Sequence, residues 1–108
     1  MNGPEIRFEW DEAKNRSNRR KHGISFEEAS RVFFDPFHVV VDDRVAGGEQ
    51  RWQALGMAKL NARRLVLLLV AHTVREQTQT DEYVDVIRII SARRATSEER
   101  RVYEDENR

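Results

Sequence analysis

Cationic side chains stand at the ends of the predicted elements of this chain. Lys14 and Lys21, seven positions apart, share one face of a predicted helix; Arg51 opens a strand, Arg75 follows one, and the adjacent Arg93 and Arg94 close another. A guanidinium matches a phosphate with two parallel hydrogen bonds, and a lysine supplies a point charge for the same anion. If neighbouring strand ends converge on one rim, a phosphodiester can lodge there. Fixed positive charge of that kind favours the dianionic transition state in which a 2′-hydroxyl attacks the adjacent phosphorus, a reaction that needs no metal. It also needs a general base and a general acid, for which His22, His72, Glu49 and Glu76 are the candidates by residue type. Of the two final arginines, strand alternation directs Arg93 to the rim and Arg94 away from it. Ordinary solvent-exposed charge is the competing reading for both.

These residues must be held by elements that the local pattern predicts. In "EIRFEW" (5–10), Ile6, Phe8 and Trp10 alternate with charged residues, as in a strand with one buried face. Residues 11–23 read as a helix with Asp11 as cap and Gly23 as terminator. After Ala13 this helix has almost no apolar residue, so it frays or its polar face has a use. A second helix over 25–36 carries a Ser25/Glu28 capping box and ends at Pro36. Strands follow at 37–43, 51–58 and 63–73, with a turn at "VAGGEQ" and another around Asn61. The apolar run at 65–71 suggests a central strand covered on both faces. "TVREQTQTDEYVD" reads as a mobile loop or a hairpin with a long tip, with Tyr83 exposed in it. A strand at 86–92 and a helix at 97–106, opened by a Thr96/Glu99 capping box, complete the order β-α-α-β-β-β-β-α. Short connections between the later strands favour an antiparallel meander with the helices to one side, an α+β fold in one domain over 1–108 with its core about 5–106.

Composition narrows the rest. With 39% hydrophobic and 35% charged residues, the domain is thin and short of buried area, and a partner is expected to supply part of its stability. Nineteen basic and 19 acidic residues cancel, but in blocks: residues 14–21 hold five cations and no anion, 27–49 hold six acids against two arginines, 59–75 are purely basic and 76–85 purely acidic. Any affinity for an anion is therefore local. There is no cysteine, and His22, His38 and His72 lack the short paired spacing of zinc sites, so no metal or cofactor is expected. No signal peptide is read in "MNGPEIRFEWDE" and no apolar run approaches the ~20 residues that cross a bilayer, so the expectation is a cytoplasmic protein with no membrane partner.

"FEWDEAKNRSNRRKHGISFEEASRVFFDP", "DDR", "GEQRWQALG" and "IRIISARRATSEERRVYE", in this order and spacing, resemble the BrnT family of toxins from type II toxin–antitoxin pairs, over roughly residues 8–104. The resemblance implies a RelE-like ribonuclease fold, endoribonuclease cleavage of an RNA substrate, and neutralisation by a BrnA-type antitoxin with a ribbon-helix-helix part. It implies that operator DNA is bound only through the toxin–antitoxin complex. By position, the family's functional residues fall on Lys21, His22, Arg51, Arg75 and Arg93; His22 or Glu49 would move the proton. The antitoxin is expected to cover part of the cationic rim. Two readings stand beside it: a catalytically inactive partner-binding or corepressor module, and direct phosphate contact by the helix "KNRSNRRK" without base readout.

Overall fold

The computed structural model describes residues 5–61 and 64–108. β1 (Glu5–Glu9) leads into α1 (Glu12–His22) and α2 (Phe26–Ser30), and a 3₁₀ turn (Arg31–Phe34) follows. β2 (Val39–Ala46), β3 (Glu49–Leu60), β4 (Arg64–Gln79) and β5 (Glu82–Arg94) then form a meander, and α3 (Ser97–Glu106) closes the chain. The sheet order is β1-β5-β4-β3-β2; the meander pairs are antiparallel, while β1 lies parallel along β5. This is the α+β arrangement expected, with a parallel edge strand added to the antiparallel sheet. Arg63, expected to begin the fourth strand, lies outside the described residues.

Side-chain chemistry sets the helix limits. Asp11 accepts from the amides of Ala13 and Lys14, and Gly23, at φ 72°, ends α1 in the left-handed conformation. Both expected capping boxes form, Ser25 with Glu28 and Thr96 with Glu99. The second helix is shorter than its pattern: after Ser30 the chain tightens into the 3₁₀ turn, which presses on β3 at Gly56. A Cβ there would stand 2.7 Å from a Val32 methyl carbon, so the close approach requires glycine.

The segment read as a mobile loop or a hairpin with a long tip is a hairpin, and its tip is short. β4 and β5 pair without a break from Thr73/Arg88 to Gln79/Glu82, and Thr80 and Asp81, both at positive φ, make the two-residue turn. Polar side chains concealed this ladder, because its bonds are made by the backbone.

α1 and α2 cover one face. Ile24, Phe26, Ala29 and Val32 meet Ala54, Leu68, Val70, Ile89 and Ala92 there. Leu67 to Val70 are all buried, so the central strand is covered on both sides, as its unbroken apolar run requires. α3 runs on the other face: Tyr103 donates to Asp35 at 2.6 Å, and Asp35 also accepts from the Met57 amide at 2.8 Å. Burial pushes the Asp35 carboxyl up, but the bonds from Met57 and Tyr103 outweigh it and hold the group below its usual range. The same contact and burial push the Tyr103 hydroxyl up to about 12.

α1 is held by amides instead of an apolar stripe. Asn18 is buried; its Nδ2 donates to the carbonyls of Ile24 and Ala92, both at 2.9 Å, and its Oδ1 accepts from the Ala92 amide. Asn15, also buried, accepts from the Phe26 amide at 2.8 Å and donates to Glu12 and Glu27. Asn18→Ala would strand three buried backbone groups and is expected to destabilise by about 2–3 kcal/mol, a Tm loss on the order of 10 °C. Arg19→Ala, one position on and exposed, is the control. Equal Tm values for the two variants in thermal denaturation would refute this account of the helix.

Candidate functional site

Cross-strand partners share a face of a sheet, so the register assigns every side chain to a side. On β4, Leu68, Val70 and His72 face the helices, and Leu69, Thr73 and Arg75 face away. Thr73 pairs with Arg88 and Arg75 with Val86. Trp52 pairs with His72, which places Arg51 on the outer face beside Thr73. Arg51, Arg75 and Arg88 thus come from three adjacent strands onto one patch of the sheet away from α1 and α2. Glu9, on the polar side of β1, joins them: it forms a salt bridge with Arg75 and accepts from Arg88 at 2.9 Å. Arg51, half-buried, has no ion-pair partner among the described residues. Glu49, exposed at the start of β3, lies on the same face two residues before Arg51.

Arg93 is brought to this face by a bulge. Ala71 pairs with Ser91 but His72 with Ile89, so Ile90 is an extra residue on β5 and the alternation reverses across it. Arg88 and Arg93, five apart, therefore lie on the same side. Arg93 is opposite Leu69, however, six residues along β4 from Arg75, or roughly 20 Å at strand rise. Its guanidinium is engaged: it donates two bonds to the Glu99 carboxylate, at 2.8 and 2.9 Å. The Arg93 hydrogen bonds hold the Glu99 carboxyl down at about 2, against burial, and Arg93 is itself raised. As placed here, Arg93 fastens the start of α3.

Lys21 and His22 end α1, exposed, in the helical layer on the other side of the sheet. The six candidates do not form the single cluster expected: Arg51, Arg75 and Glu49 share the patch, Arg93 shares the face at a distance, and Lys21 and His22 lie in the opposite layer. Lys14 is exposed on the same helix. His72, considered as a base, is buried and faces the helices. Its ring packs edge-on to Phe33 with centroids 4.8 Å apart, Nδ1 stands 3.1 Å from the Val70 carbonyl oxygen, and burial holds its pKa below the usual value. Its spacing of three from Arg75 puts the two on opposite faces.

Arg88 and Glu9 were not singled out in the sequence. The signal for Arg88 is a charge within the apolar run "VIRII"; for Glu9 it is the polar side of "EIRFEW". Chemically, the patch offers three guanidinium groups and two carboxylates, Glu9 and Glu49, on one face of the sheet. Among the described residues it has no histidine, and no three His, Asp or Glu side chains gather as a metal site anywhere. The surface suits an extended polyanion.

The family model described as "Ribonuclease toxin, BrnT, of type II toxin-antitoxin system" matches residues 10–99 of this chain. No curated protein matches it significantly.

The Arg93–Glu99 pair sets a pH dependence. Because the Glu99 carboxyl is depressed in the folded chain, its contribution to stability is whole above the ordinary value near 4.5 and is lost as pH falls towards about 2. Glu99→Gln is expected to lower Tm at neutral pH and to flatten its fall across that window. Arg93→Lys, which keeps the charge without the fork, recovers part of the slope. An unchanged Tm–pH curve for Glu99→Gln would show that the pair contributes nothing to the fold.

Proposed function

The chain belongs to the BrnT family of ribonuclease toxins of type II toxin–antitoxin systems, and we propose that it is a metal-independent endoribonuclease whose outer sheet face holds the scissile phosphate. Family membership implies an antitoxin partner. The observation that carries the mechanism is that the register puts Arg51, Arg75 and Arg88, from three adjacent strands, on one face of the sheet. In this reading a 2′-hydroxyl oxygen attacks the adjacent phosphorus as its proton passes to Glu49, the candidate base that shares the patch. The P–O5′ bond breaks, the departing oxygen takes a proton from water, and the products are a 2′,3′-cyclic phosphate and a 5′-hydroxyl. The guanidinium groups stabilise the charge that accumulates on the non-bridging oxygens. Phosphate displaces Glu9 from Arg75 and Arg88 on binding. Lys21 and His22, in the other layer, contact a neighbouring stretch of RNA backbone, and Arg93 contributes through the position of α3.

The finer assignments follow the same reading. Cleavage arrests growth in the cytoplasm, a BrnA-type ribbon-helix-helix antitoxin neutralises it, and the complex alone binds operator DNA. One observation favours a second reading, a catalytically inactive corepressor module: the patch has no histidine, and Glu9 already answers two of its arginines. Expression of the chain alone discriminates, since an inactive module is harmless and a nuclease stops growth.

Purified protein is expected to degrade total RNA in the presence of EDTA, leaving cyclic phosphate ends. Arg51→Ala should lower the rate by about 10²-fold, the scale of a lost transition-state charge contact, at unchanged Tm. Intact RNA at micromolar protein, or full activity in Arg51→Ala, would overturn the mechanism.

A further inference from the structure

The sheet face that carries α1 and α2 is only half covered. The helical layer stops at Phe34, and among the described residues no helix lies over the outer ends of β4 and β5 on this side. There an open apolar groove of about 400 Å³ is floored by Trp52, His72, Val74 and Ile87 and walled by Phe33 and Val40. Two of its lining residues expose apolar surface that a lone chain gains nothing from showing: Val40 and Val74 are each 45% exposed.

Carboxylates stand at two margins of this groove, which His38 also lines. Register puts Glu76 directly opposite Asp85 on the helix-facing side at the outer end, and Asp42 opposite Trp52 on the β2 side. None of the three makes an ion pair among the described residues. Like charges directly opposite one another in a sheet are destabilising, so the Glu76–Asp85 pair has no internal use.

We propose that this groove is where the antitoxin docks, through an amphipathic helix that sets apolar side chains against Trp52 and Val74 and lysine or arginine against Glu76, Asp85 and Asp42. The proposal rests on the toxin–antitoxin reading above and names a surface for it. A helix suits the site because it would continue the layer that α1 and α2 begin, on a floor of the same apolar character. Phosphate is disfavoured by the acidic margin, which separates this surface from the arginine patch on the other side of β4 and β5. The antitoxin's main hold is thus on the side away from the arginines, and not on the cationic rim.

The test separates docking from cleavage. The chain is expressed alone and together with the small protein encoded by the adjoining reading frame, and the pair is also titrated in vitro. Val74→Lys and Val40→Asp alter exposed lining positions only. Each is expected to arrest growth as the wild type does, to escape neutralisation, and to bind the antitoxin about 30-fold more weakly or worse, as for a central interface residue. Asp42→Lys with Asp85→Lys gives the same loss without touching an apolar residue, and decides the matter if either other variant has a lowered Tm. Neutralisation and binding at wild-type strength overturn the proposal. So does a folded groove variant that no longer cleaves RNA, which would assign the groove to the substrate. A wild-type dimer in sedimentation that Val74→Lys converts to monomer would assign it to a second copy and likewise overturn it. If the wild type itself does not arrest growth, the nuclease reading fails, while the titration still decides where the antitoxin sits.

Discussion

The structure depends on one side chain that is polar and buried. Asn18 joins α1 to the strand 74 residues later, and its amide meets both backbone groups of Ala92 as well as the Ile24 carbonyl. With no apolar stripe on α1, this amide fixes the helix to the edge of β5. Asn15 repeats the arrangement one turn earlier, binding the Phe26 amide and so seating the first residue of α2. A buried amide of this kind is stabilising only when every group is satisfied, and among the described residues no buried side-chain polar atom lacks a partner. The outer surface of α1 is then left to its cations, since holding the helix requires none of them.

A second constraint, the bulge at Ile90, decides what the two faces of the sheet are. Without it, simple alternation would put Arg88 and Arg93 on opposite sides. With it, β5 turns apolar residues to the helices both before and after the bulge, at Ile87, Ile89 and Ala92, while Arg88 and Arg93 share the outer face and Arg94, opposite Leu68, does not. β4 divides in the same way, His72 and Val74 to one side and Thr73 and Arg75 to the other. Two surfaces of opposite character share two strands as their common wall. That economy fits a chain with 39% hydrophobic residues.

Legibility in the sequence followed the range of the interactions concerned. Caps act within four residues, and Asp11, Ser25/Glu28 and Thr96/Glu99 were all readable; so was the α+β meander, which short connections nearly dictate. The hairpin from 74 to 85 was legible only as one of two readings, and with too long a tip, because the pairing of β4 with β5 is a backbone property that "REQTQTDEY" does not advertise. The candidate patch was legible in part. Arg51 and Arg75 share a face, but from within β3 and β4 instead of from the strand ends expected; the place of Arg93 depends on an extra residue no local pattern marks, and its partner Glu99 was visible only as half of a capping box. Lys21 and His22 were drawn in by their residue types; the layer that separates them from the arginines is a tertiary fact. Asn15 and Asn18 were hidden for the same reason, since an asparagine on a polar helix looks like solvent-facing surface until its partners are known.

Glu9 gives the cationic patch a threshold. Three guanidinium groups on one sheet face would hold any polyanion, and with a net charge of zero the chain has no global field to select among them. A carboxylate bound to Arg75 and Arg88 competes with every incoming phosphate at short range, whereas Arg51 stays available to make the first contact. An anion that reaches only one arginine gains too little to displace Glu9, because an exposed ion pair is worth at most about 1 kcal/mol. One that spans three strands replaces both bonds at once and adds the third. An extended backbone with regularly spaced phosphates meets that condition; a lone small anion does not. Selectivity for a polymer can therefore arise from an internal competitor and the spacing of strands, without a pocket to enclose the ligand.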